Sequence, residues 1–230
     1  MKNLSPLEEK LGVVFVNKDL LLQALTHRSY LNENPDFELG HNERLEFLGD
    51  AVLELIVTEE LYARFPDKPE GELTSFRAAL VNSNMLAQIA SEVGINDFLL
   101  LSRGEAKDVG RARQYILANA FEAIIGAIYL DQHYAGAQVF IHKILLPHME
   151  EILEKKLYKD PKSVFQESAQ EHANVTPTYE VIREWGPDHD KHFIVGIFLG
   201  TELVAEGEGR SKQTAQEDAA RNALEVKKWH

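Results

Sequence analysis

The sequence contains no cysteine. That excludes disulfides, thiolate metal ligands and cysteine nucleophiles, and it suits a reducing compartment. It also lacks any run near the ~18 to 20 apolar residues that a membrane span needs. The opening Met1-Lys2-Asn3-Leu4-Ser5-Pro6 has no apolar core of a secretory signal. The expectation is a cytoplasmic protein with no membrane partner. A third scarcity is positive charge: 24 basic residues stand against 37 acidic ones, a net charge of -13. Neither end corrects this, since residues 1–159 carry 16 basic and 24 acidic side chains and residues 160–230 carry 8 and 13. Such a surface repels phosphate almost everywhere. Any grip on nucleic acid must come from a few placed cations and from metal ions held on carboxylates.

What is present is ordinary for a folded protein: 44% hydrophobic and 27% charged residues over 230 positions, enough for one large or two modest domains. From Leu7 to about Lys156 apolar residues recur at helical spacing. Helices are expected over 20–25, 44–65, 72–93, 115–130 and 135–153, with breaks at 66–71, at Gly94 and around 104–110, where turn chemistry gathers. After the charged stretch 150–159, Asp160-Pro161 supplies a capping residue followed by proline at the first helical position. The order then reads helix 161–171, strands 178–183, 191–199 and 203–208, and helix 212–226. Gly186-Pro187-Asp188 and Gly200-Thr201 between the strands suit an antiparallel meander. The expected fold is therefore multidomain: an all-α domain over residues 1–155, then a small α+β domain of order α-β-β-β-α over 160–229.

The stretch from His41 to Leu53 is dense in carboxylates. At about 100° per residue, Glu43, Glu46, Asp50 and Glu54 share one helix face within roughly 80°. Alone, such a stripe is an ordinary solvated acidic face. Here Leu45, Leu48, Val52 and Leu53 leave little of the helix free for water. Gly49, at a mid-helix cost of roughly 1 kcal/mol against alanine, points to close approach of another element. Carboxylates on a crowded helix need a counter-charge, and with no basic stripe nearby in sequence a hard divalent cation is the natural one. Across 117–127, Asn119 and Glu122 are the polar residues of an otherwise apolar helix, and their i, i+3 spacing sets two oxygens side by side. They form either a satisfied core network or, with the first stripe, the remainder of an all-oxygen magnesium site.

At this point a resemblance takes over. Asn42 to Leu53 resembles the signature of the ribonuclease III family, and Ala24 to Tyr30, Pro69 to Leu73 and Asn119 to Gly126 match in the family's order. The resemblance implies a homodimer that binds double-stranded RNA in a groove between its subunits, with one cleavage centre in each. It implies a double-stranded-RNA endoribonuclease dependent on Mg2+, with Mn2+ as a substitute. The products would carry 5′-phosphate and 3′-hydroxyl ends with two-nucleotide 3′ overhangs, in rRNA and mRNA processing. It carries metal coordination onto Glu46, Asp50 and Glu122, with Asp50 and Glu122 catalytic, and a supporting acidic role onto Glu43 and Glu70. Phe47 matches an aromatic side chain that the family buries in the partner subunit. Asn119 stands where the family usually has Asp; its amide oxygen can ligate a cation but brings no charge, and its other end is a donor. An RNA binder with impaired chemistry is the alternative that this position raises. His27 and His41 are conceivable general bases that read more naturally as structural.

The C-terminal segment resembles a double-stranded RNA-binding domain, with Gly207-Glu208-Gly209-Arg210-Ser211-Lys212-Gln213-Thr214-Ala215 leading into Ala219-Ala220. Ser211 is placed to cap the last helix, so that its free N–H groups, with Arg210 and Lys212, face a phosphate. The plain alternative is an ordinary capped amphipathic helix. Gln213 stands where the family usually has a second lysine. Gln166 and Gln170 match positions that reach the minor groove, and His189 matches the loop residue that enters the next one. Such modules read A-form shape and 2′-hydroxyls across about 16 base pairs. A helical scaffold whose acidic stripe binds another protein is a more distant reading, and this RNA-binding pattern counts against it.

Overall fold

A computed structural model of the chain describes residues 3–187 and 191–229. Its internal contacts separate into two units, with the cut between Tyr158 and Lys159. No helix among the described residues is long and apolar enough to cross a membrane.

The first unit is helical: α1 (Ser5–Leu11), α2 (Lys18–Ala24), α3 (Arg28–Glu33), α4 (Glu43–Arg64), α5 (Glu70–Val81), α6 (Ser83–Val93), α7 (Arg111–Ile144) and α8 (His148–Glu154). Its axis is α7. Ala120, Phe121, Ala123, Ile124, Ile125, Ala127 and Ile128 are all fully buried there, and a helix apolar on every side belongs inside. Helix α4 packs along it and adds Leu45, Leu53, Ile56, Val57 and Leu61 to the same core. Between α2 and α3 the chain makes a single parallel bridge of Thr26 with Leu100, with Leu100 N–H donating to Leu25 O at 2.9 Å and His27 N–H to Leu100 O at 3.0 Å.

Two boundaries differ from the periodicity. The helix expected over 72–93 is α5 and α6, divided at Asn82, whose backbone is extended (φ -70, ψ 155). Its side-chain amide donates to Ala78 O (3.1 Å) and Ala79 O (2.8 Å), while its oxygen accepts from Met85 N–H (3.0 Å). One side chain thus closes one helix and caps the next, a one-residue break that a 3.6 period does not register. The break expected between 130 and 135 is present, since the backbone of α7 leaves helical geometry at His133 (φ 60, ψ -165), but the helix expected over 135–153 ends at Ile144 and is followed by the short α8 after Pro147. The kink is strapped to the 14–17 segment: the Asp131 carboxylate accepts from Val16 N–H (2.9 Å) and Asn17 N–H (2.8 Å), and Gln132 Nε2 donates to Val14 O (2.9 Å).

The second unit is α9 (Pro161–Ala173), β1 (Thr178–Trp185), β2 (His192–Leu199), β3 (Glu202–Gly209) and α10 (Lys212–Lys227), with the strands antiparallel in the order β1-β2-β3. This is the expected α-β-β-β-α meander. Asp160 caps α9 by accepting from Lys162 and Ser163 N–H. The core is small: Phe165 and Ala169 of α9, Ile197 and Val204 of the sheet, and Ala219, Ala220 and Ala223 of α10. The alanines let α10 lie close on β3, and Gly207 completes the fit, since a Cβ there would stand 2.0 Å from Ala219 N.

Candidate active site

Helices α4 and α7 touch backbone to backbone. A Cβ on Gly49 would meet Glu122 O at 1.8 Å, and one on Gly126 would meet Leu45 O at 2.2 Å. The two mid-helix glycines thus face each other's helix, and the crossing brings the α4 carboxylates against the polar pair of α7. The Asn119 amide lies beside Glu46 and favours its ionised form, and the Glu122 carboxyl lies within the field of Asp50, Glu46 and Glu54. Burial, reinforced by those three carboxylates, pushes Glu122 up to about 7. Glu46 is likewise raised, first by burial and then by Glu43 and Asp50, with the Asn119 hydrogen bond opposing. Four of the site residues read from sequence, Glu46, Asp50, Asn119 and Glu122, are therefore gathered at one crossing.

The remaining acids are engaged elsewhere. Glu43 is half-exposed and pairs with Arg28 (3.5 Å), with His41 Nδ1 at 3.8 Å. Glu54, the last member of the stripe, is drawn to Arg77 Nε at 2.8 Å. Glu70 stands exposed on the first turn of α5, where it accepts the Thr74 hydroxyl at 3.0 Å. Phe47 points outward with 82% of its surface exposed. It borders a concavity of about 630 Å³ lined by His41, Arg44, Leu45, Leu48 and Leu130. His27 caps α3, its Nδ1 accepting from Ser29 N–H (3.3 Å) and meeting Ser29 Oγ at 2.8 Å, and burial holds its pKa below the ordinary value.

Sequence reasoning missed what aims the start of α4. Asn42 is 2% exposed. Its side-chain amide donates to Ala24 O (3.2 Å), its N–H to Thr26 O (2.9 Å), and its carbonyl takes Glu46 N–H (2.9 Å). It fixes the turn that carries Glu43 and Glu46. Gly126 was open to the same argument as Gly49, being a glycine inside an apolar helix. The partners of Glu43 and Glu54 had no local signal, because Arg28 and Arg77 lie 15 and 23 residues away in sequence.

Among the described residues no three His, Asp or Glu side chains are already drawn together as a metal cluster. The donor chemistry nevertheless fits a hard divalent cation: the set is all oxygen, and two of its carboxyls are raised by burial first and then by the neighbouring carboxylates.

In the second unit, Gln166 and Gln170 are exposed on α9, with Gln170 Nε2 donating to Asn174 Oδ1 (2.5 Å). Ser211 caps α10: its Oγ accepts from Thr214 N–H (3.1 Å), and Thr214 Oγ1 accepts from Ser211 N–H (3.1 Å). Arg210 and Lys212 flank that cap at exposed positions. Gln213 is tied to Glu217 on its own helix (3.0 Å). His189 lies outside the described residues.

Comparison with known proteins gives two family matches: Ribonuclease-III-like over residues 17–149 and Double-stranded RNA binding motif over residues 161–227. A Ribonuclease 3 of Enterococcus faecalis is 44% identical over 219 residues, 95% of this chain and 94% of that protein. A Ribonuclease 3 of a Nitratiruptor species is 43% identical over 228 residues, 99% of this chain and 98% of that protein. Among solved structures, the nuclease domain of a Campylobacter jejuni ribonuclease III aligns with a TM-score of 0.58 at 42% identity, covering 64% of this chain and 97% of that one. A second structure of that domain, at 41% identity and the same TM-score, is described by flexibility in a region involved in dimer formation.

Proposed function

The chain belongs to the ribonuclease III family of endoribonucleases, and on that premise we propose that it hydrolyses double-stranded RNA at a divalent-cation site made by Glu46, Asp50, Asn119 and Glu122. Magnesium is the cation, with manganese as a substitute. The observation that carries this reading is the Gly49–Gly126 crossing, which sets two α4 carboxylates against an amide and a carboxyl of α7. Bound there, the cation supplies stabilisation of charge on the phosphate and leaving oxygen and acidifies attacking water. The residues do the rest. Glu122, raised to about 7 by burial and its neighbours, holds a proton near neutrality and must release it to act as a ligand, so metal binding and proton release are linked. Asn42 fixes the turn bearing Glu46. Arg28 holds Glu43 at the edge of the group as a supporting acid, and Glu70 serves the same supporting role from α5.

The RNA grip is assigned to Gln166, Gln170, His189, Arg210, Ser211 and Lys212. The capped N-terminus of α10 supports the last three, since free backbone N–H groups and two adjacent cations suit a phosphate. Products are short duplexes with 5′-phosphate and 3′-hydroxyl ends and two-nucleotide 3′ overhangs, from rRNA and mRNA precursors in the cytosol. The assembly is a homodimer. An 82% exposed Phe47 beside a 630 Å³ concavity supports it, because under two-fold symmetry each Phe47 meets the other subunit's concavity.

One observation favours a second reading. Asn119 lies beside Glu46, and an amide there leaves the site one charge short of a carboxylate; in this reading the protein holds RNA but cuts it feebly. Incubation with duplex RNA, with and without magnesium, separates the two. Discrete short duplexes formed only with metal support the nuclease; binding without products supports the second reading.

A further inference from the structure

A second concavity of about 500 Å³ lies in the first unit, and none of the roles above uses it. Its wall includes Arg28 and Asn32 of α3, Glu105 of the short turn Glu105–Lys107, and Tyr115 and Ile116 of α7. It joins the carboxylate group at two points. The Arg28 guanidinium reaches Glu43 at 3.5 Å. Tyr115 precedes Asn119 by four residues and Glu122 by seven, which places all three on one face of α7. The ring is 46% exposed, and Arg111 braces it: Arg111 donates to Tyr115 Oη at 3.1 Å and lies 5.6 Å over the ring.

The chemistry of this hollow contrasts with its surroundings. In a chain of net charge -13, Arg28 stands in the wall at the end of the acidic stripe, and a second arginine, Arg111, braces Tyr115. A guanidinium presents a planar fork that matches a phosphate. A half-exposed aromatic ring is a sequence-tolerant contact for a base or sugar. Asn32 both donates and accepts, and Glu105 accepts only; that carboxylate would repel a bare anion but takes a ribose hydroxyl or a base amino group. The volume falls within the range of small-ligand pockets, ~300 to 1,000 Å³.

We infer that this concavity is a nucleotide subsite: it takes the nucleotide next to the scissile phosphate, with Arg28 at its phosphate and Tyr115, braced by Arg111, against its base or sugar. The inference rests on the duplex-RNA reading, yet its first test needs no cleavage. The full chain, freed of metal with a chelator, is titrated with uridine 5′-monophosphate and, separately, with inorganic phosphate, while the Tyr115 ring resonance is followed. The nucleotide should shift it saturably, inorganic phosphate at the same concentration should not, and Arg28→Gln and Tyr115→Ala should each weaken binding about tenfold. With duplex RNA, Tyr115→Ala should raise KM by about tenfold and leave kcat within a factor of about two, with Tyr115→Phe close to the parent. Melting curves superimposing on the parent's show that the variants are folded. Absence of a saturable nucleotide effect, an equal response to phosphate, or an unchanged KM in Tyr115→Ala overturns the subsite. Failure of the nuclease reading looks different: the parent cuts no duplex RNA while the nucleotide still saturates Tyr115.

Discussion

A methyl group on Gly49 would stand 1.8 Å from the carbonyl oxygen of Glu122 and 2.9 Å from the amide nitrogen of Gly126. Main-chain atoms inside two packed helices cannot swing aside as a side chain can, so Gly49→Ala must part α4 from α7. Overpacking costs about 1–3 kcal/mol, and the upper end applies to a backbone clash. In a chain of this length that lowers the melting temperature by roughly 6 to 12 °C. The same displacement moves Glu46 and Asp50 away from Asn119 and Glu122, so cleavage should need more magnesium. A variant that melts with the parent and keeps its magnesium midpoint would show that the crossing does not set the site.

The Glu122 carboxyl gives a pH signature. Its value rises from an ordinary 4.5 to about 7, through burial first and then the neighbouring acids. The folded state therefore binds this proton more tightly than the unfolded chain. The stability so gained is full below about pH 4.5 and is lost as pH climbs through about 7. Glu122→Gln cannot ionise and escapes that loss. Without metal, its stability relative to the parent should improve between pH 5 and pH 8, by up to about 3 kcal/mol. Added magnesium at pH 8 should stabilise the parent and leave the variant where it was. Denaturant midpoints that keep a constant separation across this range would contradict the account of Glu122.

His133 sits inside α7 at φ 60, ψ -165, a backbone region that side-chain-bearing residues rarely enter. His133→Gly removes that strain. Against it stands the larger chain entropy that glycine loses on folding, so a net gain of about 1 kcal/mol is expected, or roughly 3 °C in melting temperature. The kink is far along α7 from Asn119, and cleavage should not change. A lower melting temperature in the glycine variant would mean that the imidazole makes contacts worth more than the strain.

Much of this was legible because the signals are local. Asp160-Pro161 starts α9, Ser211 starts α10, and Gly49 within an apolar helix announces a neighbour before the neighbour is known. The carboxylate group was legible for the same reason: i, i+3 and i, i+4 spacing fixes which side chains share a face. The rest needed tertiary contacts. Asn82 divides α5 from α6 within an unbroken apolar period. Glu54 belongs to the stripe by angle, yet Arg77 takes its carboxylate. Spacing does place a break between 130 and 135, where the backbone kinks at His133, but not the straps from Asp131 and Gln132 that reach back to residues 14–17.

Asn119 offers the most direct test, since its amide lies beside Glu46 and favours the ionised carboxylate. Asn119→Asp exchanges that amide for a further negative charge beside carboxyls that burial and mutual repulsion already raise. Without metal the variant should therefore be less stable than the parent, and with metal the added charge should tighten binding. The deciding measurement is a magnesium titration of duplex-RNA cleavage by both proteins, set beside their melting curves with and without the cation. If Glu46, Asp50, Asn119 and Glu122 hold the catalytic cation, the variant reaches its maximal rate at lower magnesium and recovers its melting temperature when magnesium is added. A magnesium midpoint equal to the parent's, with a melting temperature that stays depressed, would contradict the site.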